Sequence, residues 1–424
     1  MPDAAFPAGF LWGTATSSHQ VEGDNERNDW CEWEREPGRI RDGTVSGSAA
    51  EWWRGRAEED LSRAAALGQN AHRLSLEWSR LEPEQGRWDD AAAARYREIF
   101  RHARGLGLKL SITLNHFTLP QWLARKGSWL AAEAPNAFGA FARRAVETFD
   151  EFCELWATFN EPNVLVYQAY AGKQWPPGRG DLKAGLRAFG ALLEAHAHAY
   201  RAIRDARPKS QVGIVLSFPA FEPASRSAAD HAVTAIQSWA FSGAFMSALR
   251  TGRLLPPLGL GVRKVPNLEA SLDWLGVNYY GKYRVAFDWS AYGELFGKRL
   301  TEHNVHTPWT DWGERSPEGL TEQLLSLGRY GVPLYVTENG LMTHDDAERS
   351  AFLLGHVRAV QRAIERGVDV RGYFHWSLLD NFEWAEGWST PFGLHALERA
   401  TQVRTLRESG ALYERICRAN AVVP

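Results

Sequence analysis

The 424-residue chain is poor in cysteine, with only Cys31, Cys153 and Cys417. An odd number of widely spaced thiols with no C-x-x-C pair argues against a disulfide framework or a zinc site and fits a reducing cytoplasm. An excess of one charge sign is also missing: 48 Lys and Arg face 51 Asp and Glu, a formal net charge of −3. That balance gives no electrostatic footprint for nucleic acid or an anionic membrane. No apolar run approaches the ~18 residues of a membrane span, and no basic-plus-apolar leader resembles a secretory signal. The lack of any Asn-x-Ser/Thr acceptor agrees with a cytoplasmic location.

Tryptophan, by contrast, is abundant, with 19 residues. An indole is costly to bury unless its N–H finds a partner, and its flat face suits ring-shaped ligands. So many tryptophans point to a carbohydrate or aromatic-ligand cleft in addition to a core.

Short apolar runs bounded by turn residues alternate with helical patterns from end to end. Strands are expected at FLWGTAT (10–16), AHRLSLEW (71–78), LKLSITLNH (108–116), LWATFNEP (155–162), QVGIVLS (211–217), LDWLGVNYY (272–280), LYVTEN (334–339) and VRGYFHWSLL (370–379). Helical windows lie at 56–67, 91–105, 136–149, 183–206, 230–249, 316–329, 346–366 and 404–418. The first places Leu61, Ala64, Ala65 and Leu67 along one face before a Gly stop. Eight strand–helix units with no low-complexity linker predict an α/β protein, a single (β/α)8 TIM barrel over residues 1–424. The alternative is a doubly wound open sheet; its dinucleotide-binding form is weakened because no G-x-G-x-x-G follows the first strand. Residues 280–315, rich in Tyr, Trp and Gly, read as an elaborated loop over the barrel mouth.

Two of these strands end in glutamate, Glu161 on the fourth and Glu338 on the seventh. In a barrel the catalytic groups collect at the C-terminal strand ends, where these two carboxylates face each other across the mouth. Opposed carboxylates about 5–5.5 Å apart serve a retaining glycosidase: one attacks the anomeric carbon and the other protonates the departing oxygen. Their mutual repulsion keeps one of them protonated at neutral pH. The structural alternative makes each Glu a helix cap or an ion-pair partner.

With TFNEP and VTENG, the stretches FLWGTATSSHQVEG (10–23) and HWSLLDNFEWAEG (375–387) keep a fixed order along the chain. Together they resemble family 1 glycoside hydrolases, the β-glucosidase family, from Phe10 to about Ile416. The resemblance implies a (β/α)8 barrel that needs no cofactor and hydrolyses β-glycosides or short oligosaccharides. By motif position it implies Glu161 as general acid/base, Glu338 as nucleophile, and Asn160 as donor to the sugar 2-hydroxyl. Arg73, Tyr280 and Asn278 would flank the nucleophile. Gln20, His116, Glu383 and Trp384 would hold the glycone, with Trp376 beneath its ring.

Some positions depart from the family pattern. Phe117 and Thr118 stand where Trp and Asp are commoner, and Glu77 stands where Ser or Ala is usual. With strand parity matching Arg73, an inward Glu77 would add a third acid near the site. Relatives that act on 6-phosphoglycosides replace the glycone Glu and add a Lys, whereas this chain keeps Glu383 and has no Lys in WSTPFG (388–393). The thioglucosidase branch loses the acid/base Glu, which is present here. A catalytically silent sugar-binding relative would lack one of the two carboxylates. His196 and His198 lie in a helical window, where i and i+2 project about 200° apart and cannot share a metal.

Overall fold

The computed structural model describes residues 5–255, 262–300 and 312–423. Eight parallel strands close into a barrel: β1 (Leu11–Ala15), β2 (Ala71–Ser75), β3 (Lys109–Asn115), β4 (Cys153–Asn160), β5 (Val212–Ser217), β6 (Trp274–Asn278), β7 (Leu334–Asn339) and β8 (Val370–Trp376). Each pairs with its sequence neighbours, and β8 closes against β1 with Leu11 opposite Gly372 and Ala15 opposite Trp376. The strands are buried along nearly their whole length, which is why they read as near-continuous apolar runs.

Helices follow the strands in order: α1 (Ala57–Ala66), α2 (Asp90–Gly105), α3 (Ala134–Phe149), α4 (Leu182–Ala206), α5 (Ala228–Ser238), α6 (Pro317–Gly328), α7 (Asp346–Glu365) and α8 (Glu408–Ala419). Asp89, Asp181, Ser227, Ser316 and Asp345 cap their first turns by accepting backbone N–H bonds. Each helix buries an apolar stripe on the barrel, as Phe138, Phe141, Ala142, Ala145 and Phe149 do for α3.

Three expected elements differ in detail. The window 230–249 breaks at Trp239–Gly243, where the turns widen before the helix resumes at Ala244–Thr251. The last helix starts at Glu408, because Val403–Leu406 pairs with His395–Glu398 as a hairpin. The segment 280–315 contains strands rather than loop alone: Lys282–Phe287 lies between Ala220–Pro223 and Gly297–Leu300 in a small three-stranded sheet. Residues 301–311 of that segment lie outside the described residues.

Candidate active site

At the C-terminal end of the barrel a cavity of about 510 Å³ opens, bordered by Glu161, Glu338, Asn160, His116, Tyr280, Trp376, Glu383 and Trp384. Glu161 follows the last residue of β4 with φ +43°. A left-handed backbone at a non-glycine residue costs on the order of 1–3 kcal/mol, so the surroundings must impose it. Its N–H donates to the Val215 carbonyl at 2.8 Å, and Pro162 starts a short helix at once. The Glu161 side chain makes no capping hydrogen bond, which removes the helix-cap explanation. Its carboxyl instead accepts from Asn278 Nδ2 at 3.0 Å.

Glu338 sits inside β7 with both oxygens engaged. Arg73 Nη1 donates to Oε1 at 2.5 Å, and the Tyr280 hydroxyl donates to Oε2 at 2.6 Å. The following Asn339 does not join the site; it donates to the Tyr279 carbonyl and accepts from Tyr373, fixing the strand end. Gly340 is required because a Cβ there would collide with the Trp376 carbonyl oxygen.

One hydrogen-bonded circuit joins the two acids. Arg73 Nη2 donates to Asn160 Oδ1 at 2.7 Å, and Asn278 Nδ2 donates to the same oxygen at 3.1 Å. Thr337 holds Asn278 by donating to its Oδ1 at 2.8 Å. Arg73, Asn160, Asn278 and Glu338 are all at most 3% exposed, so each bond acts at low local dielectric. The consequence for Glu161 is large: burial, then the charge of Glu338, push its carboxyl up to about 8. The Asn278 bond and the more distant Arg73 charge offset only part of this.

The sequence model of glycosyl hydrolase family 1 matches residues 3–422. The chain belongs to that family. It is 31% identical to β-glucosidase A of Thermotoga maritima, over 98% of each chain. To the β-galactosidase of Sulfolobus acidocaldarius it is 32% identical, over 99% of this chain and 96% of that one. It superposes with a TM-score of 0.92 on the Thermotoga maritima β-glucosidase in complex with glucoimidazole, at 30% identity over 98% of this chain and 99% of that one. The protein is therefore a glycoside hydrolase, built on the expected closed barrel.

The remaining residues singled out in this family 1 hydrolase also converge. Asn160 Nδ2 lies 3.1 Å from His116 Nε2, so that nitrogen accepts and the ring proton sits on Nδ1. Burial, and then the Arg73 charge, hold the imidazole well below its usual range, so it stays neutral. His116 Nδ1 has no protein partner and is available to a ligand oxygen. The ring lies nearly parallel to Trp376 and Trp384, with centroids 6.0 and 5.9 Å away and interplanar angles of 23° and 16°. Gln20 Nε2 donates to Asn381 Oδ1 and the Phe382 carbonyl at 3.0 Å, and reaches Glu383 at 3.3 Å. Desolvation, then the charges of Glu338 and Glu386, raise the Glu383 carboxyl well above its ordinary value.

Glu77 proves not to be a third acid of the cavity. β2 ends at Ser75, and the chain turns at Glu77 into the short helix Trp78–Leu81. Its carboxylate accepts from Ser18 Oγ at 3.2 Å, Ser79 Oγ at 2.7 Å and Thr118 Oγ1 at 3.1 Å. The two departures at 77 and 118 thus meet, Thr118 donating its hydroxyl to the Glu77 carboxyl. Phe117, with φ +73°, borders the cavity and packs against Trp175 at 4.6 Å and Trp384 at 5.0 Å. His196 is structural: Nδ1 meets Thr158 at 2.7 Å and Nε2 the Ser271 carbonyl at 2.9 Å.

Sequence reasoning left out Thr337, which orients Asn278, and the outer wall formed by Trp175, Trp312, Tyr167 and Arg299. Thr337 stands inside VTENG and could have been found by its position before Glu338. The outer wall comes from excursions between strands and helices, which carry no periodicity to place them.

Proposed function

We propose that the chain is a retaining, exo-acting β-glycosidase whose main substrates are β-glucosides, with the whole of residues 1–424 serving as one catalytic domain. The observation that carries this reading is the asymmetry of the two acids. Glu161 is buried and held up at about 8, while Glu338 receives hydrogen bonds on both oxygens from Arg73 and Tyr280. A carboxyl that keeps its proton at neutral pH can protonate the glycosidic oxygen, and a carboxylate paired with a guanidinium can attack the anomeric carbon from the other face.

The steps follow from that division. Glu338 forms a glycosyl ester as Glu161 gives its proton to the leaving alcohol. Esterification removes the Glu338 charge, so Glu161, now ionised, stays a carboxylate at neutral pH. It takes a proton from water as that water attacks the anomeric carbon, breaking the ester bond and releasing Glu338 and the sugar. Asn160, fixed by Arg73 and Asn278, meets the sugar 2-hydroxyl. Gln20, His116, Glu383 and Trp384 bind the outer hydroxyls, and Trp376 lies under the ring. Neutral sugars fit this pocket better than 6-phosphoglycosides, because Glu383 borders the cavity and WSTPFG (388–393) offers no Lys to hold a phosphate. The partners are small β-glycosides or short oligosaccharides, and the reaction needs no cofactor. The three unpaired thiols support a cytoplasmic location.

Initial rates on matched 4-nitrophenyl glycosides test the reading. β-Glucoside turnover, with the α-glucoside and β-6-phosphoglucoside inert, is the expected result. Preference for the β-galactoside would favour the activity named for the Sulfolobus acidocaldarius relative. Silence across the panel would overturn the proposal.

A further inference from the structure

The outer half of the cavity differs in charge from its floor. Lys298 and Arg299, on the strand Gly297–Leu300, line it together with Glu294, a local balance of one positive charge. Neighbouring cations on the same sheet are neutralised: Lys282 pairs with Glu222 at 2.9 Å and Arg284 with Glu314 at 3.2 Å. Arg299 forms no ion pair among the described residues, and its Nε is buried without a hydrogen-bond partner. Three ring faces hold its guanidinium in place, those of Tyr283, Tyr167 and Phe221, at 4.7, 5.3 and 5.7 Å. Phe241 closes the shell, edge-on to both Tyr167 and Phe221.

Stacking of this kind orients a guanidinium and fixes its plane, but supplies no acceptor for its N–H groups. A fixed, half-buried cation of this sort matches a planar anion such as a carboxylate. The neighbouring wall, with Trp175, Trp312 and Tyr167 facing the cavity, suits an aromatic ring between that anion and the sugar. Because glycone binding is placed at the floor, this outer half receives the leaving group. Resting on the reading that the cavity takes a β-glycoside, we propose that Arg299 selects aromatic aglycones bearing a carboxylate.

The test compares the β-glucoside of 4-hydroxybenzoate with that of its methyl ester, in the wild type and in Arg299→Gln and Arg299→Lys. The ratio of variant to wild type for each substrate cancels the difference in leaving-group acidity. Losing one charge-assisted hydrogen-bonded contact predicts that Arg299→Gln lowers kcat/KM about tenfold or more for the carboxylate. The ester should stay within about twofold, and Arg299→Lys should restore part of the loss. Equal losses on both substrates would make Arg299 a wall residue and overturn the proposal, as would no loss on either. Binding of free 4-hydroxybenzoate, followed by quenching of tryptophan fluorescence, gives a readout independent of turnover. Quenching that is unchanged in Arg299→Gln would also overturn it. Failure of the β-glycosidase reading is separately visible as loss of 4-nitrophenyl β-glucoside turnover in the wild type.

Discussion

Glu161→Gln replaces the acidic, transferable O–H with a non-acidic amide while keeping the side-chain volume and an oxygen for Asn278 to bond. In the wild type the Glu161 carboxyl titrates at about 8 because burial and the Glu338 charge both disfavour its ionised form. In the proposed mechanism the free enzyme acts with Glu161 protonated, so we predict that kcat/KM falls as pH rises through about 8. At a separation of ~5.5 Å and an effective dielectric of ~20, the Glu338 charge accounts for about 3 kcal/mol of that effect. That is roughly a hundredfold in proton affinity, released when Glu338 is esterified. General-acid assistance is worth about 10²–10⁴ in rate, so Glu161→Gln should lose that factor on alkyl glucosides and far less on dinitrophenyl glucosides. The assay is kcat/KM against pH for both substrate types in both proteins. The reasoning fails if the variant keeps the high-pH limb, or if both substrates lose equally. In the trapped fluoroglucosyl-enzyme, Glu161 should titrate at lower pH than in the free protein; an unchanged midpoint would remove Glu338 as a cause.

Three other outcomes follow from the same geometry. Because Glu338 is read as the attacking group, we predict that Glu338→Gly loses hydrolysis and that azide restores turnover with an α-glycosyl azide as product; a β-azide would reverse the assignment. Glu383 borders the cavity within 3.3 Å of Gln20 and is read as a glycone ligand. We predict that Glu383→Ser weakens neutral glucosides about tenfold or more in kcat/KM and narrows the gap to 6-phosphoglucosides, whereas unchanged ratios would move it out of the pocket. Glu77→Ala strips the buried hydroxyls of Ser18, Ser79 and Thr118 of their acceptor. It should lower stability by about 2–3 kcal/mol, and Glu77→Ser with Thr118→Asp should recover most of that in a denaturant titration, since the acid is then returned from the other side.

All eight barrel strands were legible because fully buried parallel strands leave uninterrupted apolar runs, and turn residues mark their ends. Their C-terminal limits were less legible. AHRLSLEW continues its alternation through Glu77, yet the ladder stops at Ser75, because the Glu77 carboxylate is taken by Ser18, Ser79 and Thr118 instead of pointing into the barrel. Parity along a strand fails once the strand has ended. Residues on strand ends, such as Asn160, Glu161, Asn278 and Glu338, could be placed because the barrel fixes where each end lies. Arg299 and Trp312 could not, since the segments that carry them take their path from the small sheet built on Lys282–Phe287.

The same contrast explains how one barrel can combine fixed chemistry with variable selection. In the proposed mechanism bond cleavage relies on Arg73, Asn160, Asn278 and Glu338, and each is buried and tied to another strand by side-chain hydrogen bonds. Moving any of them disturbs the rest, because Asn160 Oδ1 alone serves two donors. The outer wall is held differently. Arg299 rests on the ring faces of Tyr167 and Tyr283, and Trp175 leans on Phe117 through tilted rings. Aromatic contacts of this kind are worth about 0.5–1.5 kcal/mol each and impose looser geometry than a charged hydrogen bond in a dry site. Substitutions in that wall can therefore change which aglycone fits while leaving the positions of Glu161 and Glu338 intact.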